Sequence, residues 1–156
     1  MTVGSFEVSG APASSYLHGS IAAEVYEVGG VAPTNIIRTD QDWFVRIRWE
    51  LCGALKSMIC GKWCLHLHLE SIGKGPELDL PDPGPELEVP LDPCGDGKYA
   101  KDFYVKAGTV TAEHCGTPYK LVTTVTYQNP CDCPGPMAGF VEGSIIQFYN
   151  AGSRKK

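Results

Sequence analysis

Two stretches of the chain alternate apolar and polar side chains with a period of two. Trp43, Val45, Ile47, Trp49 and Leu51 fall on one side of the first, and Phe44, Arg46, Arg48, Glu50 and Cys52 on the other. A helix would scatter these residues around its circumference, whereas a strand sends them to opposite faces. The second repeats the pattern, with Trp63, Leu65, Leu67 and Leu69 against Cys64, His66, His68 and Glu70. Each is therefore a half-buried strand with its tryptophans inward and its arginines or histidines toward solvent or a partner. A hairpin closed by residues 52–61 sets Arg48 near His66 and Arg46 near His68 across one ladder.

The same alternation recurs along the rest of the chain. Residues 21–28 form a first strand that stops at Gly29-Gly30, 36–39 a short extended piece, and 86–91 an edge-type strand ended by Pro90 and Pro93. Residues 99–106, 119–127 and 140–149 complete the set, the last two joined by the turn sequence Asn-Pro-Cys-Asp-Cys-Pro-Gly-Pro. Residues 71–85 hold enough Gly and Pro to make a long loop. No segment calls for a helix. About seven to eight short strands with turn signals between them predict one all-β antiparallel sandwich, immunoglobulin-like in shape, over residues 20–150. The Cys, Trp, Cys spacing of a true antibody domain is absent.

Residues 1–19 are small, polar and broken by Gly and Pro, and Phe6 and Val8 are their spaced apolar anchors. Such a segment is expected as an N-terminal arm, flexible or added as a strand to a neighbouring subunit. Residues 151–156 end in Arg154, Lys155 and Lys156, a basic tail too short to clamp phosphates.

Composition narrows the function classes. The 156 residues fit one domain, and 18 Gly with 12 Pro suit a β-protein. A net charge of -5, with acidic residues crowded between Glu77 and Asp96, argues against nucleic acid. No apolar run approaches the roughly 18 to 20 residues of a membrane helix. The chain starts without the basic and apolar regions of a secretory signal, which suits a cytoplasmic setting. Seven cysteines suit an oxidising or extracellular one, so the compartment stays open.

Three constellations bear on chemistry. His66 and His68, two apart on one face, have a spacing that can ligate a metal, but facing arginines would repel a cation and favour an anion or protein contact. The acidic loop has Asp79, Asp82, Asp92 and Asp96 but no calcium-loop motif, and residues 92–98 read better as turn sequence without a metal. Counting strand reversals gathers Cys52, Cys60, Cys94, Cys131 and Cys133 at one pole and leaves Cys115 at the other. Disulfide staples or a thiolate zinc site both fit that pole. No serine, cysteine or threonine stands in an elbow with a histidine partner, and no glycine loop leads into a helix.

The expectation is a non-catalytic interaction or assembly module without a cofactor. Its partner would be protein, including copies of itself, through Phe6, Val8, Arg46, Arg48, His66 and His68. The alternative is a small metal- or ligand-binding domain built on the cysteine pole or the acidic loop.

Overall fold

The computed structural model describes residues 2–8, 16–80 and 87–152. Ten strands form among them: β1 Thr2–Val8, β2 His18–Glu27, β3 Ile36–Arg38, β4 Trp43–Cys52, β5 Gly61–Ser71, β6 Leu78–Leu80, β7 Leu87–Leu91, β8 Lys98–Val105, β9 Thr117–Gln128 and β10 Pro134–Tyr149. One 3-10 turn, Lys56–Met58, lies between β4 and β5. The fold is an all-β antiparallel sandwich, with a single parallel pairing of β3 with β10.

One sheet is β1-β2-β4-β8, called sheet A below. The other, sheet B, joins β5 to β9 and β9 to β10, with β6 and β7 sharing the outer side of β5. β1 belongs to both. Its first half pairs with β2 through Thr2–Ala23 and Ser5–Ser20, and its second half with β10 through Phe6–Gly139 and Val8–Met137. A strand that changes sheets makes a corner of the sandwich.

The inward faces fall as period two demands, whereas Phe44 and Cys64 on the outward side are buried as well. Trp43, Trp49 and Trp63 are 2%, 2% and 0% exposed, and Leu65 and Leu67 are buried with them, while Arg48 and His66 face water. Core aromatics interlock edge to face: Trp49 on Trp63 with ring centroids 6.5 Å apart, and Trp43 on Phe148 at 5.4 Å.

Three expectations change. β4 and β5 do not form a hairpin, because β4 lies between β2 and β8 and β5 beside β9. Their connection instead crosses from one sheet to the other. The left-handed glycines Gly53 and Gly61 lie on that connection, with φ of 119° and 141°. Crossing sets the two tryptophans opposite each other across the core, edge to face, which a hairpin within one sheet would not do. Second, the loop after β5 contains β6, paired through Leu67–Leu80 and Leu69–Leu78. Third, the segment expected as an arm is a strand of the chain's own sheets. The Phe6 ring sits edge-on to Trp63 at 5.7 Å and against Gly139 and Gly19, where any Cβ would collide with it. Residues 9–15 and the basic run 154–156 lie outside the described residues.

Candidate binding surface

On the outer face of sheet A, strand register lines side chains up in rows. Ser20, Glu50 and Lys98 share one row, Ala22, Arg48 and Ala100 the next, then Glu24, Arg46 and Asp102, and finally Tyr26, Phe44 and Tyr104. Because Ser20, Ala22 and Ala100 are small, the middle of the face is sunken beside Arg48. An open hollow of about 500 Å³ lies over Val3, Ala22, Arg48 and Ala100. A second, of about 430 Å³, runs on over Arg48, Ala100, Asp102 and Tyr104. Arg48 and Ala100 line both, so the two hollows make one groove across the sheet.

The two arginines differ. Arg46 grips Asp102 with two parallel bonds, Nε to Oδ1 at 2.9 Å and Nη2 to Oδ2 at 3.1 Å. Its guanidinium also lies over the rings of Tyr26 and Phe44, 5.0 and 5.4 Å from their centres. Those hydrogen bonds from Arg46 hold the Asp102 carboxyl below its ordinary range, against the opposing effect of desolvation. Tyr26 donates its hydroxyl to Glu24 at 2.7 Å, and that bond leads in raising the phenol pKa. Arg46 is thus fixed and neutralised. Arg48, exposed, makes no hydrogen bond or ion pair among the described residues, and neither Lys98 nor Lys101 side chain forms an ion pair there. The outward side chains that line the groove are three cations, Arg46, Arg48 and Lys98, against two carboxylates, Glu50 and Asp102; Lys101 stands opposite the buried Ile47 and leaves β8 on the other side.

His66 and His68 lie on the other side of the molecule, on the outer face of sheet B. The face shared with Arg46 and Arg48 is therefore replaced by two faces pointing opposite ways, since the strands carrying them lie in opposed sheets. His68 Nδ1 stands 2.7 Å from Asp79 Oδ1, and His66 is opposite Thr124. Phe6 and Val8 pack against the core instead of forming a free patch, because β1 is consumed by its own sheets.

The cysteine pole is placed by register. Gly61 faces Leu91 and Lys62 faces Gln128, so Cys94, Cys131 and Cys133 leave their strands at the end where Cys52 and Cys60 lie; Cys115 precedes β9 at the other end. Among the described residues no disulfide forms, and no group of three or more metal-ligating side chains gathers. The turn residues serve the backbone. Asn129 Oδ1 accepts from the amides of Cys131 and Cys133 at 2.9 and 3.1 Å, Asp92 from Cys94, and Asp96 from Lys98. Between the sheets, a cavity of about 110 Å³ beside Thr2, Leu121 and Ser144 has room for a few waters. No helix among the described residues is long and apolar enough to cross a membrane.

Sequence reasoning reached Arg46 and Arg48 but missed Ala22, Lys98, Ala100, Asp102 and Tyr104. What joins them is cross-strand register, and neither alanine carries a signal of its own.

No family model and no curated protein matches the chain. Among solved structures it is similar to the crystal structure of a Niemann-Pick type C2 protein from Japanese carpenter ant. The likeness covers 92% of this chain and 98% of that one, at 13% identity and a TM-score of 0.35. A likeness this distant says nothing of what this chain binds.

Proposed function

We propose that the chain is a non-catalytic β-sandwich module that binds protein, and that the groove across sheet A receives an extended acidic segment of the partner. The observation that carries this is Arg48, a cation without an ion pair among the described residues, standing over a floor of Ala22 and Ala100. A surface arginine on a strand is ordinarily flanked by side chains that cover or neutralise it. Here the neighbours on both adjacent strands stop at Cβ, so a carboxylate on a second chain can reach the guanidinium fork and its backbone can lie on the apolar floor. Exposed Tyr104, 64% accessible, provides an aromatic contact at one end.

The test titrates isotope-labelled protein with a glutamate-rich peptide and follows the amide signals. Shifts centred on Ala22, Arg48 and Ala100 are expected. Ala100→Trp, which fills the hollow from an exposed edge position, should abolish them without lowering the melting temperature. Shifts centred on His66 or the cysteine pole, or binding unchanged by Ala100→Trp, would reject the groove.

A further inference from the structure

We infer that the partner seated in this groove is a second copy of the same chain, presenting the acidic edge formed by β6 and β7. The inference rests on the groove reading above and adds the identity of the occupant.

Charge separation within the chain carries it. With Arg46 committed to Asp102, the groove retains Arg48 and Lys98 against Glu50, a cationic concavity on a molecule of net charge -5. Between Lys74 and Lys98 the sequence has no lysine or arginine at all, and seven carboxylates. Among those described, Glu77 is exposed just before β6, and Asp79 on β6 and Glu88 on β7 keep 88% and 52% of their side chains accessible although each already meets one cation of β5, His68 and Lys62. Among the described residues β6 and β7 pair with β5 alone, so this acidic row lies along an edge of sheet B. Among the described residues, no ion pair joins the groove cations to these carboxylates within one chain.

Acidic edge and groove are different surfaces of one molecule, so a copy that gives its edge still has its groove open. The contact is heterologous, head to tail, and propagates into a ring or a filament according to the rotation between copies. Pro90 on β7 lacks the amide that edge-to-edge strand addition would use, which favours seating the edge in a groove over extending the sheet. Exposed ion pairs are individually weak, so the assembly is concentration-dependent and weakened by salt.

Sedimentation velocity of the full chain over a concentration series tests this. Association beyond the monomer is expected, falling roughly tenfold or more in Arg48→Glu/Lys98→Glu and equally in Glu77→Lys/Asp79→Lys, each confirmed as folded by its melting curve. Mixing the two charge-reversed proteins should restore association between them, which neither variant shows alone. Monomer at every concentration, variants that associate like the parent, or a mixture that fails to recover would overturn the self-partner. If the parent stays monomeric while the glutamate-rich peptide still shifts Arg48 and Ala100, the self-partner falls and the groove stands. If the peptide is also inert, both fall.

Discussion

The outer faces of the two sheets handle charge in opposite ways. On sheet B nearly every cation is answered: Lys62 Nζ lies 3.1 Å from Glu88 and 3.0 Å from Asp132, Lys120 lies 2.7 Å from Glu142, and His68 meets Asp79. These carboxylates, those of Asp132 and Glu88 first for Lys62, hold both lysines above their ordinary pKa. On sheet A one arginine is answered and its neighbour two residues on is not. Strand composition does not explain this, since β4 and β5 each carry acidic and basic side chains outward. What differs is the cross-strand neighbour: Arg46 finds Asp102 where Arg48 finds Ala100. A site is left wherever register withholds both a partner and bulk.

The largest break in the comparison comes from removing what holds the two faces in one molecule. Phe6→Ala empties the slot between Gly19, Gly139 and Trp63 and should cost about 3 kcal/mol by chemical denaturation. A loss well under 1 kcal/mol would mean that β1 contributes little to joining the sheets. Thr123→Val is smaller and of opposite sign. The Thr123 hydroxyl is fully buried on the core side of β9 with no hydrogen-bond partner, so an isosteric methyl should stabilise by about 1 kcal/mol while touching neither outer face.

Sheet A has its own acid signature. Because the folded Asp102 carboxyl titrates below its ordinary 3.8, its contribution is complete above that value and is lost as pH falls through the lowered one. Asp102→Asn should therefore lie below the parent in stability by a constant amount above about pH 5, with the gap closing toward acid. A gap that grows toward acid would show that the Arg46 bonds are not what lowers the carboxyl. The smallest effect is expected on sheet B. Asp79→Asn removes the partner of His68 at a well-exposed site, and the melting temperature should hold at neutral pH. A marked fall there would show that β6 is tied down by this pair and not by Leu78 and Leu80.

Much of the architecture was legible in the sequence. Alternation alone assigned the tryptophans of β4 and β5 inward and Arg48 and His66 outward, because side-chain direction in a strand is a local property of the backbone. Pro90 marked an edge strand for the same kind of reason, a missing donor. Counting strand reversals brought the five cysteines to one end because the longer strands alternate in direction, β6 and β7 together counting as one reversal after β5; whether their sulfurs join is a matter of distances that a count does not contain.

Sheet membership was beyond the sequence. Residues 52–61 can close a hairpin or cross the core, and the crossing wins because it sets Trp49 on Trp63 and buries both. Thr2–Val8 read as an arm because its own apolar content is low. The slot that receives Phe6 is made by Gly19 and Gly139, far along the chain, and only the folded molecule brings them together. The groove follows from the same limit: Ala22, Arg48 and Ala100 become neighbours only when β2, β4 and β8 are aligned, an outcome fixed by burial on the opposite face of those strands.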